Sequence, residues 1–217
     1  MRLSIALLTE RRIGLLLTVD GLFFFFGFLG AVEGTGSAKE FYLLLFLVPA
    51  LVLGVPILSE AVVVERRSGT LDLALSSAGS DSYFQRRIGS FALLIVAQGW
   101  FGVLLARATI QGFPLSGPLV QIVVVTLFLA TAVLNWSLRL RTMGAVVIMT
   151  IASCLALAPW FFSNPIHPYA EFARPMNAEE IAAWFRTNLV LFGGAVVFYL
   201  YAVKRLMNPE SILSDGA

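Results

Sequence analysis

Six long apolar runs constrain this chain more than any other feature. They are Ile13–Val32, Phe41–Val64, Ile88–Ala106, Pro118–Leu138, Thr142–Phe162 and Thr187–Val203. A membrane-spanning helix needs about 20 mostly apolar residues, because each residue rises about 1.5 Å through a hydrocarbon core about 30 Å thick. The first run holds one charge, Asp20, and the second holds Glu60 with Pro49 and Pro56. The last four contain no Asp, Glu, Lys or Arg. A transmembrane β-barrel would alternate apolar and polar residues over short segments. Here Phe23–Phe26 and Val123–Val125 are continuous, so the pattern predicts six spanning helices.

The composition points the same way. Hydrophobic residues make up 59% of the 217 and charged residues 13%, against roughly 45–50% and about 25% in soluble domains. A 23.6 kDa globule has too little interior to hide that much apolar surface. A soluble enzyme, a disordered tail and a secreted disulfide scaffold are thereby excluded. Cys154 is the sole cysteine, so no internal disulfide forms. A net charge of +2 gives no footprint for nucleic acid.

Orientation follows from the Lys and Arg residues flanking the spans. Six spans place both termini on one side, with Arg2, Arg11, Arg12, Arg66, Arg67, Arg86, Arg87, Arg139, Arg141, Lys204 and Arg205. Only Lys39, Arg107, Arg174 and Arg186 fall on the other. Both termini are therefore expected in the cytoplasm. Leu3–Leu8 is too short for the apolar region of a cleaved signal and is interrupted by Glu10-Arg11-Arg12. It reads either as a short tail or as an amphipathic helix on the cytoplasmic membrane face. With no fixed-period repeat and no low-complexity linker, residues 1–217 read as one transmembrane domain.

The loop between the second and third runs carries the most information. Ser68 or Thr70 can cap a helix start, and Asp72 suits its first turn. Leu71, Ala74, Leu75 and Ala78 fall on one helical stripe, and Gly79 fits its end. The spacing predicts a short helix over 69–78, too short to cross a membrane. Its apolar stripe needs lipid headgroups or a hydrophobic groove on a soluble partner. Asp81 can cap a second helix that runs through Tyr83 and Phe84 into the third span.

The run Glu65-Arg66-Arg67-x-Gly69-Thr70-Leu71-Asp72-x-x-Leu75-Ser76, followed by a Ser-rich turn and basic residues, resembles the signature of type-2 ABC exporter permeases. The ending Lys204-Arg205, followed by Asn208-Pro209-Glu210, is similar to the tail common in that family. Six spans, both ends inside and a polar loop between spans two and three match the family plan across nearly the whole chain. Two positions depart from it. Asp72 stands where Glu is commoner, and Ala78-Gly79 stands where a proline is usual.

The resemblance implies an all-α integral membrane permease of the bacterial inner membrane, with a coupling helix at 69–78. That helix would seat in a separate ABC ATP-binding subunit. Glu65, Arg66 and Arg67 would form rim ion pairs with the subunit, while Gly69, Thr70, Leu71, Asp72 and Leu75 would complete the contact. The plainer reading of Arg66 and Arg67 is positive-inside anchoring. The chain has no Gly-x-x-x-x-Gly-Lys-Ser/Thr run. No cofactor is expected on it, and ATP and Mg would be bound by the partner ATPase. Six spans also look like half of a pathway, so a second permease copy or a similar permease is expected, besides membrane lipids.

Other residues carry two readings each. Asp20 would cost roughly 2.5–3.5 kcal/mol at a helix centre, so it either lines a cavity or sits near the interface. Glu60 suits a structural pairing with a loop arginine. Pro49, Gly54 and Pro56 can bend the second span, as a lever or as a static kink. Gly99, Gly102, Gly193 and Gly194 permit close helix packing. In the outer segment, Asn177 and Glu180 resemble a capping box that opens a short helix over Ala178–Phe185. Related permeases carry short re-entrant helices there, so Ile181, Trp184 and Phe185 are candidates for an outer gate. An interfacial helix anchored by Trp184 is the alternative. His167 is the sole histidine, so the sequence offers neither a metal cluster nor a nucleophile–base–orienter set. A non-transporting scaffold docking a soluble protein through the same loop helix is the rival function. A lipid-modifying enzyme would lack any acid–base set.

Overall fold

The computed structural model describes residues 54–71, 80–109, 116–156 and 177–206, together with Phe25. Five helices make up the regular structure among these residues. They are α1 (Val55–Arg67), α2 (Ser80–Thr109), α3 (Ser116–Ser137), α4 (Met143–Ala156) and α5 (Ala178–Leu206). Two stretches are long and apolar enough to cross a membrane, Leu119–Ser137 and Ile181–Lys204. Shorter apolar helical stretches run over Ile95–Leu104 and Met143–Ala156. Several expected features lie outside the described residues. These are the N-terminal amphipathic helix, the first span with Asp20, and positions 72–79 with Asp72 and Leu75.

Helix α3 is the hub, and its sequence explains why. It holds no charged residue, and its apolar side chains point in every direction, the signature of a helix surrounded by protein. Ile122, Val125, Phe128, Leu129, Ala130, Val133 and Leu134 are all buried. The other four helices each pack against it. Phe128 and Trp136 hold Phe198 of α5 between them in edge-to-face contacts, with centroids 5.7 and 6.2 Å apart. Three hydroxyls in the bundle bond within their own helix. Thr131 donates to the Leu127 carbonyl, Thr150 to Val146 and Ser153 to Met149, each at 2.8 Å. Such back-bonding satisfies polar groups where water is excluded. Trp136 Nε1 then donates to Ser153 Oγ at 3.1 Å and joins α3 to α4.

Cross-helix contacts fix the directions. The C-terminal end of α1 meets the turn after α3, and Arg139 beyond α3 meets Tyr201 near the end of α5. Helices α1, α3 and α5 therefore run the same way. Trp100 late in α2 donates to the Leu119 carbonyl early in α3 at 3.2 Å, so α2 runs the opposite way. Arg66, Arg67, Arg139 and Arg141 consequently gather at one end of the bundle, with Arg107 at the other.

Large apolar side chains also lie on the surface of the described helices. On α5, Ile181, Phe185, Leu189, Phe192, Val196 and Leu200 form one exposed stripe. Leu93, Trp100, Phe101 and Leu104 do the same on α2. Such contiguous apolar faces are foreign to soluble monomers and mark contact with lipid or another protein.

Two expectations about helix boundaries meet different outcomes. The helix expected to start at Asp81 and run into the third span is a single 30-residue helix beginning at Ser80. The separate outer helix over Ala178–Phe185 is not found, because Ala178–Leu206 is one helix of 29 residues. The Asn177 carbonyl accepts the first helical bond, from Ile181 N–H at 3.1 Å, so the start is as expected. No Gly or Pro falls between Asn177 and Gly193 to stop it. Arg186 turns its Nε onto the Ala182 carbonyl of its own helix at 3.3 Å, and the charge does not break the turn. At about 1.5 Å per residue such a helix is longer than a bilayer core about 30 Å thick, so part of it extends past the hydrocarbon.

Candidate functional site

The distinctive polar construction stands at the basic end, where α1 stops. Arg66 and Arg67 occupy its last turn, where cations complement the helix dipole. Ser68 N–H bonds to the Val64 carbonyl at 2.9 Å and Gly69 N–H to the Arg66 carbonyl at 3.3 Å. Gly69 then adopts φ +69°, the left-handed conformation that ends helices and that glycine reaches without a Cβ clash. Ser68 Oγ and Thr70 Oγ1 both donate toward the Glu65 carbonyl, at 3.2 and 3.4 Å, and lie 2.8 Å from each other. The hydroxyls thus cover a carbonyl that a helix end leaves without a partner. A new helical turn opens at Thr70 and Leu71.

No atom lies within 4 Å of the position a Cβ would take on Gly69, so substitution there tests the backbone alone. Gly69→Ala is expected to destabilise the protein by about 1–2 kcal/mol, and Gly69→Asn by less, since asparagine visits this conformation more readily. Thermal unfolding of the purified variants reads the difference. Equal midpoints for wild type and Gly69→Ala would show that the turn does not require glycine.

The two arginines reach across the bundle. Arg66 donates through a terminal nitrogen to the Leu140 carbonyl at 3.3 Å, and Arg67 to the Arg141 carbonyl at 2.8 Å. Both acceptors lie in the elbow between α3 and α4. From that elbow Arg139 runs back along α3. Its Nε donates to Asn135 Oδ1 at 3.2 Å, and its guanidinium carbon lies 5.6 Å from the centre of the Tyr201 ring. Three arginines therefore tie the ends of three parallel helices together. Hydrogen bonds from charged donors contribute about 1.5–3 kcal/mol each, and less where the donor is solvent-exposed, as Arg67 is.

The residues singled out in the sequence are partly united here. Glu65, Arg66, Arg67, Gly69, Thr70 and Leu71 form one corner. Leu71 differs from expectation. It is 3% exposed and belongs to the same buried cluster as Val62, Val63, Leu134 and Leu138. Its side chain is therefore not open to a partner; it pins the turn to this chain's own core. An apolar residue just after a helix-ending glycine commonly packs back on the helix it leaves, which accounts for the difference. At the opposite end, Ile181 and Phe185 are exposed, and Trp184 is half-buried with its Nε1 turned inward. Sequence reasoning missed Asn135, the elbow carbonyls and Tyr201. Arg139 and Arg141 had registered only as topological charges, and nothing in a linear pattern signals which carbonyl an arginine will reach.

Among the described residues, the corner is built from hydroxyls, backbone carbonyls and arginines. It is a hydroxyl-capped turn, exposed at Ser68, Gly69 and Thr70 and braced by arginine to the hub helix. Comparison with protein-family models, curated proteins and solved structures found no match.

Proposed function

We propose that this chain is the transmembrane permease subunit of an ATP-driven ABC transporter of the type-2 exporter kind, moving a hydrophobic or amphipathic substrate. In this reading it has six spans with both termini in the cytoplasm of a bacterial cell. A separate ATP-binding subunit, carrying ATP and Mg, seats on residues 69–78. A second permease copy, or a similar permease, completes the pathway.

The observation that carries the reading is the braced corner at Glu65–Leu71. A lever needs an exposed point of contact and a stiff connection to what it moves. Ser68, Gly69 and Thr70 offer the first. Arg66, Arg67 and buried Leu71 offer the second, since they join the turn to the elbow and to the bundle core. Closure of two ATP-binding subunits against the turn would then tilt α1 together with α3. Through Arg139 and Tyr201 the movement passes to α5. Rigid-body rocking of such a set changes the side to which a central cavity opens. In this reading Glu65 and the residues from Asp72 to Leu75 supply the remaining partner contacts.

The test is a photoreactive residue at Thr70, with a second at Arg107 as control, in the full-length protein in its native membrane. Crosslinking from position 70 to a nucleotide-hydrolysing chain, and none from 107, is the expected result. Crosslinking from 70 to a protein without a nucleotide site would support the docking scaffold instead.

A further inference from the structure

One face of α4 begins at a charge and continues as a bare apolar strip. Gly144, Ile148, Ile151 and Leu155 follow spacings of four and three residues and so share one face of α4, and Arg141 stands in the bend two residues before the helix starts. All five are exposed, Ile148 at 66% and Leu155 at 62%. The Arg141 guanidinium has no partner among the described residues, although the Arg141 carbonyl accepts from Arg67. That bond places the exposed guanidinium of Arg67 against the Arg141 backbone. Residues 138–144 of the elbow contain no acid. Thr142 Oγ1 accepts from the Ala145 N–H at 3.3 Å and sets the direction in which α4 leaves the elbow. Below the charges, Gly144 leaves open space, with no atom within 4 Å of a Cβ position.

We propose that this face binds an anionic phospholipid. Its phosphate lies between Arg141 and Arg67, its glycerol over Gly144, and an acyl chain along Ile148, Ile151 and Leu155. The proportions fit. From Gly144 to Leu155 the helix rises about 16 Å at about 1.5 Å per residue, close to half of a hydrocarbon core about 30 Å thick. A soluble anion would use the charges and leave the strip bare, and a neutral lipid would use the strip and leave two cations without a counter-charge among the described residues. An anionic lipid answers both features. The inference rests on placement of the chain in a membrane and is independent of what the protein transports.

The experiment is lipid retention by the purified full-length protein, read by native mass spectrometry after incubation with phosphatidylglycerol or phosphatidylcholine. Wild type is expected to retain phosphatidylglycerol preferentially. Arg141→Gln lowers that retention about fivefold, from about 1 kcal/mol for each basic residue at an anionic surface, and leaves phosphatidylcholine unchanged. Arg107→Gln, at the opposite end, leaves both unchanged. Ile151→Asn lowers the retention of both lipids. Glycerol phosphate at millimolar concentration does not displace the lipid. Displacement by glycerol phosphate would assign the site to a free phosphate, and equal loss in Arg141→Gln and Arg107→Gln would reduce it to net charge. Equal retention of both lipids by wild type would overturn the headgroup assignment, whereas retention of neither would overturn the membrane placement beneath it.

Discussion

Leu71→Asp is expected to open the corner at the end of α1, with the chain still inserted in the membrane. Leu71 is 3% exposed, in one buried cluster with Val62, Val63 and Leu138. Truncating a buried leucine to alanine costs about 2–5 kcal/mol. An unpaired carboxylate at such a place adds a desolvation penalty of about several kcal/mol. Together these exceed what one exposed turn can absorb, so the turn leaves the core. Its departure withdraws support from Arg66 and Arg67, whose bonds to the Leu140 and Arg141 carbonyls shield the backbone next to them. Limited trypsinolysis should therefore cut after Arg66 or Arg67 at least ten times faster than in wild type, a factor that needs only about 1.4 kcal/mol. Leu71→Met, which keeps the volume, should be cut at nearly the wild-type rate. If Leu71 instead faced a partner, Leu71→Asp would leave proteolysis of the isolated protein unchanged and reduce only the capture of that partner.

The same residue shows how far a sequence pattern reaches. Leu71, Ala74, Leu75 and Ala78 read as an apolar stripe whatever lies opposite it, because periodicity reports a face and never its occupant. For Leu71 the occupant is the chain itself. The interior of α3 was legible for the converse reason, since a helix without charge and apolar all round has to be enclosed. The direction of the helices was legible in the basic residues, and Arg66, Arg67, Arg139 and Arg141 do gather at one end. Whether these arginines were anchors or contacts was not legible. Arg66 and Arg67 reach backbone carbonyls 74 residues away, and carbonyls have no sequence signature. The outer helix failed at its end point. Asn177 marked a start, but no residue near Phe185 marked a stop, and a polar residue such as Arg186 does not end a helix that can satisfy it locally. Gly69 was read as part of a motif, and its positive φ supplies the physical reason for glycine at that position.

The double variant Arg66→Ala with Arg67→Ala is expected to separate the turn's two tasks. Ser68, Thr70 and Glu65 hold the turn through bonds that neither arginine side chain enters, and Leu71 keeps it against the core. The turn should therefore stay formed and exposed. What is lost is the brace to the α3–α4 elbow. The half-buried Arg66 contributes about 1.5–3 kcal/mol as a charged donor, and the exposed Arg67 about 1 kcal/mol or less. A loss of that order lowers the melting temperature by a few degrees and leaves the bundle folded, since Trp136 still joins α3 to α4 and Phe198 still sits between Phe128 and Trp136. In a permease driven from this corner, the partner would still bind and still hydrolyse nucleotide, but its push would reach α3 through a slack connection. Transport in reconstituted vesicles should then fall at least tenfold while nucleotide hydrolysis falls less than twofold, a loss of coupling of about 1.4 kcal/mol. Arg66→Lys with Arg67→Lys should fall between, because an ammonium keeps the charge and lacks the planar fork that reaches a carbonyl at a fixed angle. Equal losses of hydrolysis, transport and partner capture would place the arginines at the partner surface, and unchanged transport would assign the force to another path through the bundle.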